Sequence, residues 1–60
     1  MTKLREIRKK KKIRVEEICK KLYISPRTYY YWEIGKSEPK VTEAIKLGKL
    51  LGVSIETLFN

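Results

Sequence analysis

Apolar residues recur every three or four positions along almost the whole chain, which is the spacing of one face of an α-helix. No stretch alternates apolar and polar residues over the length of a strand, and no Asn-Gly or Asp-Gly pair marks a hairpin. The pattern therefore predicts an all-α chain. We expect five helices, at about residues 3–11, 15–22, 26–34, 41–51 and 55–59.

Local signals support these boundaries. Thr2 is a candidate N-cap for the first helix, and Ser25 followed by Pro26 is a strong start for the third. Glycines at positions 35 and 52 are suited to end the third and fourth helices, because glycine readily adopts a left-handed backbone. Ser54 is a candidate cap for the last helix. The whole chain, residues 1–60, is predicted to form a single small domain.

The amino-acid composition narrows the class of partner that the chain is expected to bind. The chain carries fifteen lysine and arginine residues against seven acidic ones, a net charge of +8 on 60 residues. Eight of the basic residues crowd the first fourteen positions: Lys3, Arg5, Arg8, Lys9, Lys10, Lys11, Lys12 and Arg14. Such a field attracts polyanions. Charge alone leaves nucleic acid and anionic membrane surfaces open as partners.

Other residue types are informative by their scarcity. A single cysteine, Cys19, and the lack of histidine argue against a disulfide framework, a metal site and an acid–base or nucleophilic enzyme. We interpret Cys19 as a small buried apolar residue. No cofactor and no small-molecule ligand are expected. No window reaches the length of a membrane span, so a cytoplasmic location is expected, on the nucleoid if the source is bacterial or phage.

Residues 15–34 have a more specific organisation. Two short helices are joined by the tight connection Leu22-Tyr23-Ile24-Ser25, which is helix-turn-helix spacing. Apolar side chains occur at the intervals needed to pack these helices together: Ile18, Leu22, Ile24, Tyr29 and Trp32.

The ordered series Ile24-Ser25, Trp32-Glu33-Ile34-Gly35-Lys36, Pro39 and Leu51-Gly52-Val53-Ser54 resembles the phage repressor and Cro, or Xre-like, helix-turn-helix family. The resemblance covers nearly the whole chain. It implies a compact five-helix, lambda-repressor-like fold and a transcriptional regulator, a repressor, that binds specific double-stranded DNA. The chain departs from the family at Tyr23, where members usually carry glycine, so a positive φ is expected there at some cost.

The resemblance places the start of the third helix in the major groove. Arg27 is the best candidate base reader, because a guanidinium can bridge the O6 and N7 acceptors of guanine. Tyr31, one turn later, is a second candidate, and Thr28 and Tyr30 are secondary ones. Tyr29 and Trp32 share the opposite face and are expected in the core.

Phosphate contacts are expected around this helix. The resemblance implies them at Lys36, Ser37 and Lys40, and the amides at the helix start near Ser25 add to them. Arg14 is added on charge, because it stands with Val15 where the family often has a DNA-contacting glutamine.

Two further pairs are expected to have structural roles. The resemblance implies an ion pair between Arg8 and Glu33 that orients the third helix against the first.

A homodimer on DNA, bound to a near-palindromic operator with half-sites about 34 Å apart, is the usual solution for a module of this size. Leu58 and Phe59 are candidates for the dimer seam, and closure of the thin core is an equally good interpretation of them.

Two alternatives remain open from sequence. The same fold could serve as an antitoxin-like or protein-interaction module that binds through its tyrosine-rich face. The lysine run at residues 9–12 could instead make the chain a less specific cationic binder of nucleic acid or membrane. DNA binding that is lost in Arg27→Ala would argue against both.

Overall fold

The structure, a computed structural model, describes residues 2–59, and the regular elements in that range are all α-helices. They are α1 (Leu4–Lys10), α2 (Val15–Leu22), α3 (Pro26–Ile34), α4 (Val41–Leu51) and α5 (Ile55–Phe59). The prediction of a five-helix, all-α fold is confirmed, including the helix-turn-helix pair α2 and α3. Only α1 differs noticeably, since it is one residue shorter at each end than expected. None of the helices in residues 2–59 is long and apolar enough to cross a membrane.

The third helix begins and ends where its sequence signals predict. Ser25 has an extended backbone, and its Oγ accepts a hydrogen bond from the amide of Thr28 at 3.2 Å. Pro26 occupies the first helical position, where the missing N–H breaks no helical bond. Gly35 then takes a left-handed conformation with φ of 79° and ends the helix.

The start of α1 corrects one expectation. Lys3, not Thr2, occupies the N-cap position, and it makes no side-chain capping bond. The Thr2 hydroxyl accepts from the amide of Leu4 at 3.3 Å and lies 3.1 Å from the carbonyl oxygens of both Trp32 and Glu33. Its single proton can therefore bridge those two acceptors. Thr2 ties the start of α1 to the end of α3.

The core lies where the helices meet. α2 packs on α3 and α4, α4 packs on α5, and α1 packs on α3 and α5. The side chains that fill this space are almost completely buried: Leu4, Ile18, Tyr29, Trp32, Leu47, Leu51 and Leu58. Each contributes roughly 1.5–3 kcal/mol by leaving water. The small Cys19 is buried beside them.

Leu58 and Phe59, the two candidate dimer-seam residues in α5, differ in burial. Leu58 has no exposed surface, and its carbonyl oxygen accepts from the amide of Lys3 at 3.1 Å. It fills the core next to the start of α1. In this conformation its side chain cannot contact a second copy. Phe59 is only partly buried and packs on the edge of the core.

Two residues other than glycine have left-handed backbones within residues 2–59. Tyr23, in the turn between α2 and α3, has a φ of 57°, in line with the departure from glycine noted in the sequence. Lys12, in the turn after α1, has a φ of 59°, and no sequence signal predicted this. Each conformation costs about 1–2 kcal/mol for a residue with a Cβ.

Candidate nucleic-acid interface

The third helix has two chemically different faces. Tyr29 and Trp32 point into the core, 1% and 2% exposed, with their ring centroids 6.2 Å apart in an edge-to-face arrangement. Arg27 and Tyr30 are exposed, and Tyr31 is partly exposed on the same side. Helical geometry explains the division, because residues three and four apart share a face. A continuous surface of Arg27, Tyr30 and Tyr31 is therefore left free along α3.

The four candidate base readers differ in how their polar groups are engaged. Arg27 is exposed in the first turn, and none of its nitrogens pairs with a carboxylate in residues 2–59. The rings of Tyr30 and Tyr31 lie side by side, with centroids 6.4 Å apart. The hydroxyl of Thr28, by contrast, lies 3.1 Å from the Ser25 hydroxyl and belongs to the helix cap. Thr28 is thus the least suited of the four to read a base.

The predicted phosphate ligands lie at helix ends. Arg14 precedes α2 and Lys40 precedes α4, both with extended backbones and exposed side chains. Amides at helix starts carry partial positive charge and favour anions. Ser25 stands at the same position before α3, but its hydroxyl is already used in the cap. A phosphate there would meet backbone amides more readily than the serine side chain.

The end of α3 brings two predicted residues into contact. The amide of Lys36 donates to the Tyr31 carbonyl at 2.9 Å, and the amide of Gly35 donates to the Trp32 carbonyl at 3.3 Å. This is the hydrogen-bond pattern of a Schellman motif. It places the Lys36 ammonium over the Tyr31 ring, with Nζ 4.7 Å from the ring centroid. The contact is a cation–π interaction between a candidate base reader and a candidate phosphate ligand.

Arg8 and Glu33 form a close ion pair between α1 and α3. Arg8 Nε donates to Glu33 Oε2 at 2.8 Å, and Arg8 Nη1 donates to the Ile13 carbonyl at 3.2 Å. Glu33 is only 4% exposed, so its charge depends on these partners. Burial works against the charge of Arg8, but the hydrogen bond and the charge of Glu33 outweigh it, and the pKa of Arg8 is raised.

A second arginine near this ion pair was not predicted from the sequence. Arg5 Nε lies 3.8 Å from the other carboxylate oxygen of Glu33, with about half of the Arg5 side chain exposed. The available signal was position, since Arg5 precedes Arg8 by three residues and lies on the same side of α1. Glu33 is therefore held by two cations.

Two buried groups have raised pKa values. Burial raises the pKa of the Cys19 thiol, which disfavours its reactive thiolate form. Burial also raises the pKa of Tyr29, whose hydroxyl has no hydrogen-bond partner among residues 2–59. Within that range, no three histidine, cysteine or acidic side chains come together as metal ligands would.

Comparison with known proteins agrees with this geometry. A family model described as helix-turn-helix matches residues 4–58, which is nearly the whole chain and runs from the start of α1 to the last but one residue of α5. The chain belongs to the helix-turn-helix family. It is also similar to an uncharacterized HTH-type transcriptional regulator of Methanocaldococcus jannaschii, with 41% identity over 44 residues that cover 73% of this chain and 67% of that protein.

Proposed function

We propose that this protein is a transcriptional regulator that binds specific double-stranded DNA and reads the major groove with α3. The observation that carries the proposal is the exposed face of α3. Its first turn presents the exposed guanidinium of Arg27, which pairs with no carboxylate in residues 2–59, while the opposite face is fixed in the core by Tyr29 and Trp32. A rigid helix with a free arginine near its N-terminus fits the major-groove geometry of this motif.

Phosphate contacts by the helix ends support the same orientation. Arg14, Lys36 and Lys40 surround α3 in the chain and are exposed, and the net charge of +8 favours a polyanion. Occupation of an operator by such a domain blocks other proteins from that DNA, so we propose repression as its action and the cytoplasm as its location.

The test is selection of bound duplexes from a random library. The parent protein is expected to enrich a defined motif, and Arg27→Ala is expected to lose discrimination at one or two positions, by about 1–3 kcal/mol per base pair. Lys10→Ala is the matched control, because it removes one positive charge from the end of α1. It should recover the parent motif. No enrichment, or an unchanged motif for Arg27→Ala, would contradict the proposal.

A protein-binding role for the tyrosine face is the second candidate. Tyr30 is 52% exposed and lies beside the partly exposed Tyr31, so the two rings form an aromatic surface on α3. In that case Arg27→Ala and Tyr30→Ala would change partner binding while no duplex sequence is enriched. The selection experiment therefore separates the two candidates.

We also propose that two copies bind a near-palindromic operator, one per half-site, with the half-sites about 34 Å apart. Since Leu58 is completely buried, the contact between the copies has to use other residues. Phe59 is at most a contributor at its edge.

A further inference from the structure

A depression of about 370 Å³ lies between α2 and α4. We call it the α2–α4 depression, and it is lined by two leucines and three lysines: Leu22, Leu50, Lys21, Lys46 and Lys49. No residue of α3 lines it, and neither do Arg14, Lys36 and Lys40, the proposed phosphate ligands. The proposed DNA contacts therefore leave this surface without a role.

The two leucines give the depression an apolar floor. Leu22 is 7% exposed and belongs to the core, while Leu50 is partly buried and packs against the core from the side of α4. Both side chains are thus held in place by the fold. The volume is near the lower end of the range for sites that enclose a small molecule. It suits one large apolar side chain better than a long hydrocarbon chain.

The three lysines form a positive rim around this floor. All three are exposed, and none pairs with a carboxylate in residues 2–59. Lys46 and Lys49 are three residues apart on α4 and so share a face of that helix, where like charges repel each other. Lys21 adds a third charge from α2. A partner that brings carboxylates to the rim would relieve this repulsion.

We propose that the α2–α4 depression binds an acidic amphipathic segment of another protein. One large apolar side chain of the segment packs on Leu22 and Leu50, and carboxylates on either side of it pair with the lysines. A helix that carries acidic residues three or four positions from a central leucine presents all of them on one face. Apolar anchors surrounded by a polar rim are typical of protein interfaces.

Two other anions fit the same site less well. A nucleic-acid backbone offers phosphates to the lysines but no aliphatic side chain to the floor. A fatty acid offers a single carboxylate against three lysines, together with a chain that the floor is too small to cover. The combination of a small apolar floor with three charges therefore favours a protein segment.

This inference goes beyond the proposed function and does not depend on it. Because α3 takes no part in the depression, DNA and the acidic segment can bind to one copy at the same time. The segment should bind weakly and lose affinity as salt is added, since ion pairs between exposed groups are modest in strength and are screened.

The test uses a short synthetic peptide with one central leucine and with glutamates three and four positions on either side of it. The peptide is titrated into the full chain at low salt, up to millimolar concentration, and followed by NMR. We expect shifts at the residues that line the α2–α4 depression. A peptide with serine in place of leucine has the same charge and should bind about tenfold more weakly. No binding, shifts elsewhere, or equal affinities of the two peptides would overturn the inference.

A pair of double variants tests the lysines. Lys46→Gln with Lys49→Gln should weaken binding of the leucine peptide by about fivefold or more, because two ion pairs are lost. Lys9→Gln with Lys10→Gln is the matched control, since it removes the same net charge from the end of α1, outside the depression. It should change the affinity by less than about twofold. Thermal denaturation shows that both variants fold, and equal losses in the two would contradict a defined site.

Two further measurements decide between occupants. If the lysines bind DNA instead, Lys46→Gln with Lys49→Gln would reduce the salt slope of duplex binding by about two. If the site holds a fatty acid, dodecanoate would shift the same resonances at lower concentration than the peptide does. Either result would overturn the inference. Peptide binding by a chain that enriches no duplex would contradict only the proposed function, and an enriched duplex without peptide binding would contradict only the α2–α4 site.

Discussion

At the scale of single residues, the contact between Lys36 and Tyr31 changes how both are understood. The Schellman turn at Gly35 reverses the chain, so that the amide of Lys36 donates to the carbonyl of Tyr31, five positions earlier. Lys36 is thereby held over an aromatic ring instead of moving freely in solvent. Its charge is placed beside the exposed face of α3, which we propose to read DNA. In the proposed complex, Tyr31 would then support a phosphate contact of Lys36 through its ring, whatever its hydroxyl does.

Substitutions of Tyr31 separate these two roles. Tyr31→Leu should weaken binding to all duplex sequences by about 0.5–1 kcal/mol, because the cation–π contact is lost at an exposed site. Tyr31→Phe keeps the ring and should retain the parent affinity. The measurement is titration of the selected duplex and of a scrambled one. If Tyr31→Phe instead loses preference for the selected duplex alone, the hydroxyl reads a base and the ring is not the functional group.

At the scale of elements, the joint between α1 and α3 depends on a buried charge. Arg8→Ala would leave Glu33, which is 4% exposed, with only the distant and half-exposed Arg5 as a partner. Breaking a buried ion pair by removing one member costs about 3–5 kcal/mol, and the remaining cation reduces this. We expect a clearly lower melting temperature and weaker DNA binding, measured by thermal denaturation and duplex titration.

Matched variants define this prediction further. Arg5→Ala should have a much smaller effect, because its nitrogen is 3.8 Å from the carboxylate and its side chain is half exposed. Arg8→Ala combined with Glu33→Gln should recover part of the lost stability, since no charge is then stranded. Equal melting temperatures for Arg8→Ala and the parent would show that the pair does not hold α1 to α3.

The turn between α2 and α3 stores strain that can be removed. Tyr23 has a φ of 57° and is 91% exposed, so its side chain contributes little contact to offset the left-handed backbone. Tyr23→Gly should stabilise the fold by about 1 kcal/mol, which raises the melting temperature by about 4–8 °C in a domain of this size. Tyr23→Ala, which keeps the Cβ, should give no such gain. A similar melting temperature for all three proteins would mean that the turn is unstrained.

The elements show which features were predictable. Helix ends have local signals, so Ser25, Pro26 and Gly35 predicted α3 correctly. Burial depends on the neighbours that folding supplies. Leu58 and Ile55 belong to the same five-residue helix and are both aliphatic, yet α1 covers the first and leaves the second exposed. The sequence could therefore not show which of them is exposed. Thr28 is a similar case, because its hydroxyl is engaged by the Ser25 cap.

At the scale of the whole molecule, the net charge of +8 governs how binding responds to salt. We expect about five phosphates to be neutralised per copy. A plot of the logarithm of the DNA-binding constant against the logarithm of the salt concentration should then have a slope of about −4 to −5. Arg14→Ala and Lys36→Ala should each reduce the slope by about one, for every duplex sequence alike. Lys21→Ala, an exposed residue at the end of α2, is the control and should leave it unchanged. A slope near zero would contradict the DNA contacts altogether.

The division of α3 into a buried and an exposed face has a practical consequence. Trp32 is the chain's one tryptophan and is 2% exposed, packed edge-to-face with Tyr29. Indole emission shifts to longer wavelength when water reaches the ring, so unfolding should be visible in the fluorescence of the unlabelled protein. A duplex bound on the opposite face leaves the indole dry. The protein therefore carries an intrinsic spectroscopic probe that follows folding and is silent to binding.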